Sequence, residues 1–293
     1  MKNILIIGAD TPIGWNIYNF MERETDHNLI PIISKEDEYY SLNDNVIISK
    51  DIFDKKNMKK LIFRNNPDVI INCIFRENSN YDDSIKQQYW SDNVTFMENL
   101  TRACVVNDTF LIAFSSEYVF DGAKGPYNSN EIQKPINFMG KTMLAVENLC
   151  KSILTKYAII RLPEYYGYSP YGYGNIADKI SAKRDLTLAS NHFTNPVFIE
   201  DIAITVYKVI EKNITGIINV GGSDYISLSN FGNSLVSYLN LYSDYLIKET
   251  NLKFPLNFGL VNTVTETSLS MKFSSLYLGA TSLRYLMGIN NKA

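Results

Sequence analysis

Among the residues of this chain able to do chemistry, the most telling spacing belongs to two glycines. In Gly8-Ala9-Asp10-Thr11-Pro12-Ile13-Gly14 a glycine-framed turn follows an apolar run and opens a helical pattern. In that setting backbone N–H groups and the positive end of the helix dipole hold a pyrophosphate. Gly8, Asp10, Thr11, Pro12, Ile13 and Gly14 are therefore candidate cofactor-binding residues, the alternative being a turn of purely geometric origin. Thr11 stands mid-turn, where a side chain hinders the approach of backbone to phosphate, so weakened affinity is expected. The helix start itself is well specified, since Thr11 can cap it and Pro12 suits the first helical position. Further on, Ser34-Lys35-Glu36-Asp37 offers acids for ribose hydroxyls and a cation for a 2′-phosphate. Lys35 favours NADP over NAD, against the reading of a solvated charged loop.

Metal and disulfide chemistry find no such support. Cys73, Cys104 and Cys150 are odd in number, far apart and set among apolar neighbours, as reduced core thiols are. His27 and His192 lack any metal-ligand spacing and read as surface or loop residues.

Positioning the glycine turn requires a strand before it and a helix after it, and the chain repeats that pattern. Apolar runs at 3–7, 29–33, 46–48, 69–73 and 110–114 alternate with helical segments near 55–65 and 85–106. This predicts a Rossmann-type, doubly wound α/β fold with a parallel sheet covered on both faces. A helix over 140–155 and a strand over 157–161 follow, then a tyrosine-rich loop from 165 to 174. Beyond it the pattern loosens: a short helix, a strand pair near 186–199, a helix over 200–212, a strand at 217–220 and helices near 227–240 and 280–287. The stretch 240–275 reads as polar and irregular. Residues 1–162 are thus expected to form the dinucleotide-binding core, and 163–293 a mixed substrate lobe with segments returning to the core.

With 45% hydrophobic and 20% charged residues in a chain of 293, a large folded core is expected rather than disorder. The formal charge of −3 argues against a nucleic-acid or anionic-membrane surface. No apolar run approaches the roughly 20 residues that span a bilayer, and the start lacks a cleavage-site pattern, so a cytoplasmic location is expected.

Several segments together resemble the dTDP-4-dehydrorhamnose reductase branch of the extended short-chain dehydrogenase/reductase family, to which the regulatory β subunit of methionine adenosyltransferase is also similar. They run from Pro67-Asp68-Val69-Ile70-Ile71-Asn72-Cys73 and Asp92-Asn93-Val94 to Ser115-Ser116-Glu117-Tyr118-Val119-Phe120-Asp121-Gly122, the most specific of the series. Pro135 to Thr142, Arg161-Leu162-Pro163-Glu164-Tyr165-Tyr166-Gly167, Asn195 to Ala203 and Gly216 to Gly222 continue it. The resemblance implies NADP or NAD as cofactor, a nucleotide-linked 4-keto sugar as substrate and a Rossmann core. It carries Asp51, Ile52, Asn72, Cys73, Asn93, Ser115, Arg161, Pro163 and Glu164 over as further cofactor-binding candidates. Arg161 has a structural reading beside that one.

The same resemblance implies a catalytic Y-x-x-x-K pair, and here this chain departs. Met139 stands at the tyrosine position and Met143 at the lysine position, while Ser116 keeps the family's hydroxyl. In the family the tyrosine relieves alkoxide charge as a ketone accepts hydride, and the lysine lowers the tyrosine's pKa and holds the nicotinamide ribose; a thioether does neither. Met139 and Met143 also lie on one helical face and suit core packing. Substitute hydroxyls are Tyr118, Tyr127 and Tyr165; Lys141, two residues from the lost lysine, is turned about 200° around the helix. The expectation is a nucleotide-sugar-related homologue that binds NAD(P) or a nucleotide-sugar without the usual acid pair. The alternatives are an active 4-ketoreductase or epimerase of cell-surface polysaccharide synthesis with a substitute donor, and a regulatory subunit. A protein partner or a homo-oligomer accompanies these readings.

Overall fold

The computed structural model describes residues 1–40, 45–76, 85–182, 185–241 and 247–288. The apolar run after Lys2 forms β1 (Asn3–Ile7), buried on both faces from Ile4 onward. Thr11 caps α1 (Pro12–Glu24), its hydroxyl accepting from Gly14 N at 3.1 Å with Pro12 inside the first turn. After β2 (Asn28–Ile33) and β3 (Ile47–Ile48), Asp54 caps α2 (Lys55–Asn65), which ends on a left-handed Asn66. Next come β4 (Val69–Asn72), α3 (Lys86–Tyr89), a π-helical turn over Trp90–Thr95, α4 (Phe96–Asn107), β5 (Phe110–Ser116), α5 (Phe138–Ile153) and β6 (Tyr157–Leu162).

The single helix that periodicity predicts over 85–106 is therefore divided. In the π turn, Asn93 Oδ1 accepts from Arg76 N at 2.8 Å, and Asp92 pairs with the Arg76 guanidinium and with Gln88. These bonds hold the chain that leaves β4, and π turns of this kind recur beside functional sites.

The second half contributes β7 (Tyr165–Tyr166), α6 (Asn175–Ser181), β8 (Leu186–Ala189), β9 (His192–Thr194), β10 (Val197–Phe198), α7 (Ile199–Glu211), β11 (Gly216–Asn219), β12 (Ile226–Ser227) and α8 (Leu228–Tyr238). β13 (Ile247–Thr250), β14 (Leu256–Asn257), α9 (Thr263–Leu269) and α10 (Leu276–Leu286) complete it. Three expectations are corrected here. The segment 186–199 is not a strand pair: β8 pairs with β13, β9 lies between β12 and β14, and β10 pairs with β7. That last pairing also turns the first residues of the tyrosine-rich loop into a strand. The stretch 240–275 holds two strands and a helix, residues 242–246 lying outside the described ones. Strands of two to four residues show no usable periodicity, and their partners are remote in sequence.

Seven parallel strands in the order β11-β6-β5-β4-β1-β2-β3 form the central sheet. Alternate residues feed opposite faces: Ile4, Ile6, Ile71, Ile112 and Ile160 pack under α1 and α7, while Leu5, Ile7, Ile70, Leu111 and Ile159 pack under α2, α4 and α5. A separate core joins Tyr166, Ile176, Phe198, Phe231 and Leu283 across α6, α8 and α10. The three cysteines are buried with free thiols. Among the described residues no helix is long and apolar enough to cross a membrane.

Candidate functional site

Strand order reverses between β1 and β4, and a doubly wound sheet binds its ligands at the carboxyl ends of the strands at such a point. A cleft of about 350 Å³ opens there. It gathers Thr11, Pro12 and Ile13 of the glycine turn, Cys73 after β4, Ser116 at the end of β5, Tyr118, Met139 of α5, and Pro163 and Glu164 after β6. Ile74, Phe75, Asn175 and Asp178 also line it and were missed by sequence reasoning. The first two follow directly from their place at a strand end; the two α6 residues carry no local signal.

The turn is held by its own geometry. Gly8 adopts φ +76°, and a Cβ on Gly14 would lie 2.1 Å from the Gly8 carbonyl oxygen. Thr11 Oγ1 donates to Gly8 O at 2.7 Å while accepting from Gly14 N, and Pro12 has no N–H. The Ile13 N–H is left without a hydrogen-bond partner among the described residues. Asp10 is directed away from the cleft lining: its carboxylate accepts from Ser34 N at 2.7 Å and from the Ser34 hydroxyl. Tyr40 donates to Ala9 O at 2.6 Å, which ties the chain after β2 to the turn. Lys35 is exposed, Asp51 is exposed and Ile52 is core beside Met58 and Ile62, so none of the three lines the cleft.

At the expected catalytic pair the structure is apolar. Met139, 5% exposed, reaches the cleft wall; Met143, 1% exposed, lies behind it among Val119, Phe120 and Tyr127. Lys141 is exposed, as its angular offset on α5 requires. Ser116 Oγ caps the turn after β5, accepting from Tyr118 N at 3.4 Å. Tyr118 sits edge-on to Phe258, and Tyr127 is stacked on Phe120 with its hydroxyl given to Asp121 at 2.6 Å. Tyr127 thus leaves the set of substitute donors. The tyrosine-rich loop folds onto α1, where Tyr168 meets Trp15 edge-on and its carbonyl accepts from Asn16 Nδ2 at 3.0 Å.

Four candidate ligand-binding residues make bonds within the scaffold and do not line the cleft. Arg161 is fully buried, forking onto Glu147 with Nε–Oε1 at 2.7 Å and Nη2–Oε2 at 2.8 Å, and donating Nη1 to Ser129 O at 2.9 Å. Ser115 donates to the same Glu147 at 2.8 Å. Burial would raise the Glu147 carboxyl, but the Arg161 guanidinium, Ser115 and Lys151 outweigh it and hold it below its ordinary value. Asn72 bonds Ile74 N and O and shapes the turn after β4; Asn93 joins Arg76 to Thr142.

His192 corrects another expectation: it is buried in β9 between Tyr118 and Phe258, its Nε2 has no hydrogen-bond partner among the described residues, and burial pushes its pKa down to about 4. Nearby, the buried Glu117 accepts from Thr194 Oγ1 at 2.8 Å and Gly259 N at 2.8 Å. Burial outweighs those bonds, and with the charge of Glu164 pushes its carboxyl up to about 8. The folded state then keeps a proton that the unfolded chain loses near pH 4.5, so this group's contribution to stability falls as pH rises from about 4.5 to about 8 and is flat beyond. Glu117→Gln retains an acceptor for Gly259 and a donor for Thr194. Its melting temperature relative to the parent should become steadily more favourable from pH 5 to pH 8.5; a constant difference would show that Glu117 does not titrate in that window.

The RmlD substrate binding domain profile matches residues 1–257. Methionine adenosyltransferase 2 subunit beta of Xenopus laevis is 27% identical over 256 residues, covering 84% of this chain and 74% of that protein. The dTDP-4-dehydrorhamnose reductase of Aggregatibacter actinomycetemcomitans is 24% identical over 218 residues, 74% of this chain and 70% of that one. In fold, the chain is similar to the dTDP-4-dehydrorhamnose reductase of Bacillus anthracis solved with NADP, at a TM-score of 0.82 and 18% identity, over 97% of this chain and 99% of that one.

Proposed function

Since the chain belongs to the RmlD substrate binding domain family, we propose that its cleft binds NAD(P) together with a nucleotide-linked sugar, and that the tyrosine–lysine route of carbonyl reduction is lost. The observation that carries this reading is Met139 at the cleft wall with Met143 buried behind it. The glycine turn fits a dinucleotide: the free Ile13 N–H and the α1 dipole would meet the pyrophosphate, and the Gly8–Gly14 approach leaves the turn open to it. When bound, the nicotinamide supplies hydride. On the protein side, the Ser116 hydroxyl is placed to hydrogen-bond a ligand oxygen, and Ile74, Phe75 and Met139 exclude water. The lobe built on α6, α8 and α10 is assigned to the sugar side.

General acid catalysis is worth about 100- to 10,000-fold. Oxidation of reduced cofactor with a dTDP-4-keto-6-deoxy sugar should therefore run slower, by up to about that factor, than in an active family member assayed beside it. Equal turnover would overturn the reading.

At the adenosine end, a cavity of about 410 Å³ is lined by Glu36, Asp37 and Glu38, and Lys35 does not line it. A 2′-phosphate placed there meets three acids. Calorimetric titration should show NADH binding about tenfold more tightly than NADPH, a difference of about 1.4 kcal/mol; tighter NADPH binding would return the preference to the one Lys35 implies.

A second reading, service as a subunit of a larger assembly, is supported by the likeness to methionine adenosyltransferase 2 subunit beta across most of the chain together with the missing acid pair. It predicts that cofactor binding persists where turnover is at background.

A further inference from the structure

The cleft keeps an acid on its β6–α6 side. Glu164 follows β6, and its backbone is fixed by Val197 N donating to its carbonyl at 2.9 Å. Its Oε1 accepts from Ile176 N at 3.2 Å, and no hydrogen bond reaches Oε2 from the described residues. The half-buried carboxyl lines the same cleft as Met139, where the tyrosine is missing, and Ser116. No lysine or arginine lines that cleft among the described residues. The hydroxyl-bearing residues Ser116, Tyr118 and Tyr165 line the same cleft beside this carboxyl.

We propose that Glu164 is the proton-transferring group of this cleft, standing in for the absent tyrosine from the β6–α6 side. This rests on the reading of the cleft as a nicotinamide site. As a ligand carbonyl carbon accepts hydride from the reduced nicotinamide, the C=O π pair moves onto oxygen. The Glu164 O–H bond then breaks as the ligand O–H bond forms. The ligand leaves reduced to an alcohol, the nicotinamide is oxidised, and the Glu164 carboxylate regains its proton from water.

The charges that bear on Glu164 are Asp178 and Lys179 of α6 and Glu117 after β5. Burial raises the Glu164 carboxyl, the Ile176 N–H and Lys179 lower it and Asp178 raises it, with the outcome at about 7. A carboxylic acid titrating there is protonated often enough to donate and ionised often enough to accept.

Two measurements test this. In unliganded protein carrying carboxyl-¹³C glutamate, one resonance should titrate near pH 7 and vanish in Glu164→Gln, with Glu117→Gln identifying the neighbouring signal. With NADH and a dTDP-4-keto-6-deoxy sugar, the slow reduction should decline above about pH 7. It should drop about 100-fold in Glu164→Gln, recover partly in Glu164→Asp, and leave NADH affinity within about twofold by calorimetry. A Glu164→Gln protein that keeps the rate and the alkaline decline overturns the proposal, as does a wild type at background with NADH bound. Failure of both proteins to bind NADH instead removes the nicotinamide reading, and the proposal with it.

Discussion

The double variant Met139→Tyr, Met143→Lys, built on Glu164→Gln, should reduce a dTDP-4-keto-6-deoxy sugar about 100- to 10,000-fold faster than the Glu164→Gln parent. Met139 is the α5 residue whose side chain reaches the cleft wall, so a phenol there enters the space beside Ser116. Met143 lies one helical turn further, buried against Val119, Phe120 and Tyr127. An ammonium in that position is poorly solvated and stabilises a phenolate nearby, which lowers the pKa of the donor. The single variants separate the two effects: Met139→Tyr supplies a donor with an ordinary pKa, whereas Met143→Lys alone buries a charge and should lower the melting temperature without a gain in rate. A folded double variant that binds NADH and shows no gain would mean that the cleft has lost more than its acid pair.

A second large effect is expected in the scaffold. Glu147→Ala should destabilise the protein by about 3–5 kcal/mol in urea unfolding, because it strands the fully buried Arg161 guanidinium with the Ser129 carbonyl and the face of the Phe120 ring as its remaining partners among the described residues. Replacing both partners, Glu147→Leu with Arg161→Met, removes the charge as well as the bond and should recover much of that loss. A loss below about 1 kcal/mol on Glu147→Ala would show that Arg161 finds other partners and is free to serve a ligand after all. The pair joins α5 to β6, and α5 also carries Met139. Loss of the pair should therefore loosen the cleft wall and weaken NADH binding along with stability.

Together with the alkaline behaviour of Glu117, these outcomes separate the parts of the molecule. Glu147 and Arg161 hold α5 against the sheet, Glu117 ties the turn after β5 to β9 and to Gly259, and Glu164 alone of the three acids lines the cleft. Three carboxyls, two buried and one half-buried, are shifted by different surroundings: an arginine draws one down, while desolvation pushes the other two up.

What the sequence determined by itself was local. The β1–glycine turn–α1 unit, the caps Thr11 and Asp54, the alternation that makes a parallel sheet, the one-turn separation of Met139 and Met143 and the outward direction of Lys141 all depend on residues within a few positions of one another. Segments matching a known family carried the rest of the site list, of which Ser116, Met139 and Glu164 line one cleft in the structure, without showing their surroundings. Only the tertiary structure decided where long side chains end. Arg161 could have met a phosphate and meets Glu147; His192 looked exposed and is enclosed by β9, Tyr118 and Phe258; Asp10 turned to Ser34. It also decided the short strands, since β8 needs β13 and β10 needs β7 to exist at all. Propensity and periodicity act through the i to i+4 neighbourhood. Burial, ion pairing and the proton affinity of Glu117 and Glu164 are set by groups brought together from distant parts of the chain, and no window of sequence contains them.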